Sequence, residues 1–304
     1  MTGVVTKSTG SWYDVWAGRE KYECRIRGKI RLEGIKETNP VAVGDWVKIE
    51  LENEANVITG ILPRKNHILR QSVKKTAHSN ILAANIDQAI LVVTLHQPRT
   101  SLGFIDRFLV SAEAFRIPQL LIFNKTDLLD EEQLIRLSDL QKRYETLGIA
   151  TLRHSALIPS GIDSFKNILE GKISLVAGHS GVGKSTLLNQ TSDLIQQTTK
   201  EISSFSEKGT HTTTFAEMFQ LNEHTAVIDT PGIKEWGLVD MTPQEISDYF
   251  PEMRDLRLEC KFGSKCLHWH EPGCAVKKAV EEGTIWESRY ENYFNMVTGS
   301  DNRK

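Results

Sequence analysis

Cysteine is scarce, long apolar runs are missing, and the chain carries almost no net charge. Four of 304 residues are cysteine, three of them within fifteen residues and interleaved with histidine, which favours a metal site over disulfides. No run approaches the ~20 apolar residues needed to span a bilayer. The opening MTGVVTKSTG has no signal-peptide core, so the expectation is a cytoplasmic protein without a membrane partner. Internal repeats and low-complexity tracts are also missing. What remains is ordinary for a soluble globular protein, 25% charged and 39% hydrophobic, with room for two or three domains.

The net charge of -2 hides an asymmetry, because residues 1–75 sum to +5 and the remainder to -7. A basic module joined to an acidic remainder suggests a polyanionic partner, although a solvated basic surface would carry a similar excess. The same N-terminal stretch holds short alternating runs (WYDVW, YECRIRG, IRLEG, DWVKIEL, NVITGIL) separated by turn residues. About five such strands in seventy residues predict an OB-like β-barrel over 1–72. Trp12, Tyr13, Trp16 and Tyr22, among Arg19, Lys21, Arg25, Arg27, Lys29 and Arg31, are candidates for stacking and phosphate contacts with RNA, or else filling for the barrel core. Cys24 is expected to act as a small buried hydrophobe.

Residues 73–240 alternate near-continuous apolar strands, QAILVVTL and QLLIFN, with amphipathic helices predicted over 103–116 and 131–147. That alternation predicts a doubly wound α/β domain. Residues 241–304 read as helical, with one helix over 275–296.

Within the α/β segment GHSGVGKS (178–185) fits the phosphate-loop pattern, following a strand and opening a helix. Gly178, His179, Ser180, Gly181, Val182 and Gly183 would aim backbone N–H groups at phosphate oxygens. Lys184 would reach the β- and γ-phosphates, Ser185 would ligate magnesium, and Thr186 follows in the helix. NKTD, residues Asn124, Lys125, Thr126 and Asp127, selects guanine, since a carboxylate can accept from both the N1–H and the exocyclic amine. Ser155 and Ala156 suit a second base-contacting loop. Asp229 and Gly232 of DTPG suit the magnesium shell and the γ-phosphate. Thr212 or Thr213 would complete the shell.

The order of these motifs is base, phosphate, switch, metal. Ordinarily the phosphate loop opens such a domain and NKTD comes near its end, so this chain is read as a circularly permuted P-loop GTPase. The residue after DTPG is Ile233, which has no polar atom to orient water. His211, beside the switch threonines, is the candidate in its place. Near the C-terminus, Cys260, Cys266, His268 and Cys274 form a closed set for a structural zinc ion, with His270 as an alternative to His268.

The barrel, the motif order NKTD–SAL–GHSGVGKST–HTTT–DTPG and CKFGSKCLHWHEPGCAV together resemble the small-ribosomal-subunit-dependent GTPases, the RsgA/YjeQ-like family, over essentially the whole chain. The resemblance implies hydrolysis of GTP to GDP, stimulated by the small ribosomal subunit late in its maturation, with the barrel and the zinc domain flanking the GTPase and touching ribosomal RNA. It implies a switch role for His211 and zinc ligation by Cys260, Cys266, His268 and Cys274. A monomer is expected. The chain departs from the family in spacing its first two cysteines by five residues where four are expected. Competing readings are an RNA-binding scaffold with structural nucleotide and, against NKTD, a small-molecule kinase.

Overall fold

The computed structural model describes residues 1–18, 20–26, 40–52, 55–70, 80–155, 159–191, 216–230, 238 and 241–299. The N-terminal part is a five-stranded barrel of β1 (Thr2–Ser8), β2 (Tyr13–Ala17), β3 (Glu20–Ile26), β4 (Trp46–Glu50) and β5 (Asn56–Ile61). Its strands run in the order β1-β2-β3-β5-β4, and a β1–β4 pairing closes the ring. All pairs are antiparallel except β3 with β5. Alternate residues point inward, so Val5, Tyr13, Val15, Cys24, Val47, Ile49 and Ile58 fill the core. The sequence pattern missed β1, and the run IRLEG lies outside the described residues.

The second part contains a parallel sheet of β8 (Gln88–Val93), β9 (Gln119–Phe123), β10 (Ala150–Arg153), β11 (Ile173–Ala177) and β13 (Ala226–Asp229), with β12 (Glu217–Gln220) antiparallel at one side. Helices α1 (Leu102–Ala114) and α2 (Glu131–Thr146) cover one face, and α3 (Pro159–Leu169) and α4 (Lys184–Asn189) the other. Along β8, Ala89, Leu91 and Val93 join the first layer, while Ile90 and Val92 join the second. Burial on both faces explains why these strands read as unbroken apolar runs. Two caps fix where the α1 and α2 helices start. Ser101 accepts from the Phe104 N–H at 3.2 Å, and Asp130 forms a capping box with Gln133.

Barrel and sheet are continuous, because β1 pairs with β12 at Lys7 and Glu217 and the two side chains form a 3.3 Å ion pair. A ribbon of β6 (His67–Arg70) and β7 (Asn80–Ala84) lies between them. Gly44, at φ +88°, packs against this ribbon so closely that a Cβ there would lie 2.1 Å from the Ala84 carbonyl oxygen. Asn85 donates to the Gly44 carbonyl at 2.9 Å, and buried Asp45 takes two 2.6 Å bonds from Arg64.

The C-terminal part holds α5 (Pro243–Asp248), α6 (Pro251–Leu256), α7 (Ala275–Glu281) and α8 (Glu287–Thr298). The single helix expected over 275–296 is two. Gly283, at φ +74°, turns the chain between them, which buries Ile285 and sets Trp286 edge-on to Tyr144 of α2. These helices dock on α1 through charge as well as apolar packing. Fully buried Asp106 accepts from Arg289 at 2.7 Å, Asn292 at 2.6 Å and Tyr144 at 3.1 Å. Arg289 also holds Glu252 of α6, at 2.5 and 3.1 Å. Among the described residues, no helix is long and apolar enough to cross a membrane.

Candidate functional site: a strand-edge crevice and a cysteine cluster

From β8 the chain winds outward through β9 to β10, then returns to place β11 on the other side of β8 and β13 beyond it. Such a reversal leaves a crevice at the carboxyl ends of the strands, where ligands of open α/β sheets bind. The segments after β9, β10 and β11 carry Asn124–Asp127, Ser155 and the 178–185 loop, and the last residue of β13 is Asp229, so the fold gathers motifs that are scattered along the chain.

The 178–185 loop needs its glycines. A Cβ on Gly178 would lie 2.4 Å from the Val92 carbonyl oxygen, and one on Gly183, at φ +96°, would lie 2.3 Å from Asn124 Nδ2. The loop is therefore pressed against the strand beside it and against the NKTD segment. The Lys184 ammonium donates to the carbonyls of Gly178, at 2.6 Å, and His179, at 3.1 Å. Burial pushes its pKa down, and Asp229 nearby opposes that shift. The His179 ring lies over Phe104 of α1 at 3.9 Å. Ser180, Gly181, Ser185 and Thr186 are exposed, while Val182 is buried.

At the other end Asn124 is bonded on three sides. Its backbone N–H donates to Val93, its Nδ2 donates to the Val182 carbonyl at 2.8 Å, and its Oδ1 accepts from His154 Nδ1 at 2.7 Å. His154 is buried, and its Nε2 has no partner among the described residues. Because Asn124 Oδ1 can only accept, the Nδ1 atom carries a proton, and burial of the ring favours its neutral form. Burial lowers its pKa and Asp127 opposes the shift. The His154 carbonyl accepts from both the Thr126 N–H and its hydroxyl, at 3.2 and 3.1 Å. Ser155 Oγ donates to Asp127 Oδ1 at 2.5 Å, which aims an exposed carboxylate. Lys125, in the left-handed region at φ +59°, reaches the Gln97 carbonyl at 2.9 Å.

Asp229 closes β13 beneath the loop. Its Oδ1 is buried with no partner among the described residues. Burial raises its pKa, and Lys184 and the Thr230 N–H draw it back. A buried carboxylate oxygen without a partner among the described residues, near enough to Lys184 for the two charges to shift one another, fits a magnesium-bound water.

In the C-terminal part Cys260, Cys266, His268 and Cys274 are all buried, with their ligand atoms within 4.8 Å of one another. Individual separations are 3.9 Å between Cys260 and Cys274 sulfurs, 3.7 Å from Cys260 Sγ to His268 Nδ1, and 3.3 Å from His268 Nδ1 to Cys274 Sγ. A tetrahedral zinc with bonds of roughly 2.0–2.3 Å spaces its ligand atoms about 3.5–3.8 Å apart, so the donor set fits. Ser247 Oγ is 2.9 Å from His268 Nε2 and fixes the ring. His270 is outside the cluster, which separates the two histidines that spacing alone left open. The residue extra to the family spacing sits in a tight 3-10 turn, Gly263–Lys265, and Cys266 still reaches the cluster.

The RsgA GTPase family model matches residues 61–239, and the RsgA N-terminal domain model matches 2–58. The chain belongs to the RsgA GTPase family. Among curated members it is 50% identical to "Small ribosomal subunit biogenesis GTPase RsgA 2" of Bacteroides thetaiotaomicron, covering 100% of this chain and 98% of that one. It is 48% identical to the RsgA of Flavobacterium johnsoniae, over 99% and 94%. Among solved structures it resembles YjeQ from Thermotoga maritima, with TM-score 0.75, 36% identity and coverage of 100% and 99%. It also resembles YloQ, described as a circularly permuted GTPase, with TM-score 0.72, 28% identity and coverage of 100% and 96%.

In this RsgA-family chain the structure brings together the NKTD segment, Ser155, the phosphate loop and Asp229. Ala156, His211, Thr212, Thr213, Gly232 and Ile233 lie outside the described residues, as do Arg19, Arg27, Lys29 and Arg31. Of the barrel aromatics, Tyr13 is core and only 1% exposed, whereas Trp16 is 37% exposed. Trp12 carries the Arg25 guanidinium 3.8 Å over its ring, and Tyr22 donates to Glu20. Cys24 is buried as expected, its thiol pushed up to about 11 by burial and by Asp14 and Glu23. His154 was not singled out from the sequence. Its position just before Ser155 was the one available signal.

Proposed function

We propose that this chain binds GTP across the strand-edge crevice and hydrolyses it to GDP and phosphate when docked on the small ribosomal subunit, as a step in that particle's biogenesis. The observation that carries the reading is the chain of hydrogen bonds His154–Asn124–Val182, which locks a guanine-type loop to a phosphate loop in a member of this family.

In that reading Asp127, aimed by Ser155, accepts from the guanine N1–H and amine. Lys125 lies along the ring, Thr126 braces the loop, and Ala156 completes the second base contact. The N–H groups from Gly178 to Gly183 surround the phosphates, and Lys184 exchanges its two carbonyl partners for β- and γ-phosphate oxygens. Ser185, Asp229 and Thr213, or Thr212 in its place, hold magnesium, with Thr186 beside them. The bound magnesium would neutralise charge across the β- and γ-phosphates. The Gly232 N–H meets the γ-phosphate and His211 orients water. The water oxygen bonds to the γ-phosphorus as the bridging P–O bond to the β-phosphate breaks, leaving GDP, inorganic phosphate and a proton. Because Ile233 cannot orient water, turnover without the partner is slow.

Residues 1–72, 73–240 and 241–304 are assigned as RNA-contacting barrel, GTPase and zinc-binding helical domain, with Cys260, Cys266, His268 and Cys274 holding one structural zinc. The protein acts as a monomer in the cytoplasm, without a membrane partner. GTP turnover measured alone, with small subunits and with large subunits tests this. Stimulation by small subunits only is expected. Tight GTP binding with no stimulation would instead favour an RNA-binding scaffold whose nucleotide is structural.

A further inference from the structure

A cavity of about 480 Å³ opens between α1, α2 and the loop 94–100, on the sheet face away from α3 and α4. Its floor is apolar, with Leu102, Phe123 and Leu140, while Arg99, Arg136 and Arg143 ring it against a single carboxylate, Asp139. That volume lies within the ~300–1,000 Å³ of ligand-binding pockets. Three guanidiniums around an apolar floor suit a ligand with a phosphate on the outside and a flat ring within, since arginine forks match phosphate and stack on bases. An unstacked RNA nucleotide has both features, and single-stranded positions are where proteins read RNA.

The guanidiniums differ in their present commitments. Among the described residues Arg136 pairs only with Glu132 on the open surface, where both side chains are more than 70% exposed (72% and 74%), and such pairs contribute little. Arg143 lies 5.0 Å over the Trp286 ring. The loop forming one wall also touches the nucleotide crevice at two points. Gln97 accepts from Lys125 at 2.9 Å, and Pro98 Cδ lies 3.5 Å from where a Cβ on Gly181 would sit. A ligand that shifts this loop therefore acts on both the guanine segment and the phosphate loop.

We propose that this cavity takes one unstacked nucleotide of small-subunit RNA, its phosphate on Arg99 and Arg136 and its base against Leu102 and Leu140, and that its occupancy is one means by which the particle acts on the nucleotide site. The inference rests on the functional reading above. GTP turnover is measured against increasing small subunits for the wild type, Arg99→Ala/Arg136→Ala, and Leu102→Trp, which fills the cavity without changing charge. Both variants should keep subunit-free turnover and GDP affinity, which also shows that they fold. Each should need about tenfold more small subunits for half-maximal stimulation, the effect of losing roughly one stacked base. A shift in only one variant, or stimulation of all three alike, overturns the inference alone. A wild type that small subunits do not stimulate overturns the functional reading and this inference with it.

Discussion

At the base end of the crevice, Asn124 is bonded on three sides and Asp127 is held by Ser155. At the phosphate end, the Lys184 ammonium rests on carbonyls of its own loop, and Asp229 Oδ1 has no partner among the described residues. The two ends share one sheet edge, and protein groups hold Asn124 and Asp127 in place at the first, although the buried His154 Nε2 behind them has no partner among the described residues, whereas at the second the Asp229 carboxylate oxygen itself has none. On the proposed assignment, recognition would be preorganised and the charged chemistry completed by what binds. In the proposed function, a site built this way would keep its selectivity between turnovers while its catalytic half answers to the partner.

Substitutions at the two ends should separate accordingly. The largest effect is expected from Lys184→Ala, which removes a cation from the developing charge on the γ-phosphate. Single-turnover hydrolysis with small subunits should fall about 10²–10³-fold, as for loss of other preorganised electrostatic groups. A loss below about tenfold would erase the distinction drawn here between the two ends. Next, Asp127→Asn should lower GTP affinity roughly 10- to 100-fold, the worth of hydrogen bonds to a charged group. It should also shift preference to xanthine nucleotides, with saturated turnover largely kept, and competition binding with GDP and xanthosine diphosphate reads this directly. Retained guanine preference would remove the base assignment.

His154→Ala takes away the donor that fixes the Asn124 amide, and GDP should bind about tenfold more weakly for one lost buried bond. His154→Gln, which can still donate, should recover part of the affinity. The smallest effect is a pH dependence. The folded pKa of His154 lies below its ordinary 6.5, so the unfolded chain binds more protons in that window. Its contribution to stability is then fully present above about 6.5 and fades as pH falls through the lower folded value. Thermal melts from pH 7.5 to 5.5 should show this acid loss, and His154→Gln should flatten part of it.

The motifs assigned to ligand were legible in the sequence because a nucleotide dictates residue types over short spans. Gly183 is glycine since Asn124 approaches where a side chain would begin, and a phosphate loop shows that in eight letters. The strands of the α/β layer were legible for a related reason, as burial on both faces writes a continuous apolar run. Strand β12 was not, because four residues, EMFQ, carry too little pattern to declare a strand. Nor was β1, where Val4 and Val5 sit side by side and break the alternation the barrel otherwise shows. The interrupted helix at Gly283 had its signal in the glycine, outweighed by the apolar spacing on either side. His154 acts on a residue thirty positions away, and only the folded sheet brings β9 and β10 together. The cluster histidine is a similar case, because spacing allowed two and burial selected one.

The Asp106–Arg289–Glu252 network bears on heredity as well as on packing. A chain cut after residue 240 would take Arg289 and Asn292 away from Asp106 and uncover the face of α1 that carries it, leaving Tyr144 as its one side-chain partner from the bonds described. The cut would also uncover Val110 of α1, which packs in the apolar cluster of the C-terminal helices, so the layer alone would show water an apolar face as well as an unpaired carboxylate. The α/β layer is therefore not a cassette that recombination can move alone. Helix α1 and the helices that neutralise it must travel together, so the metal-cluster module is inherited with the GTPase it caps.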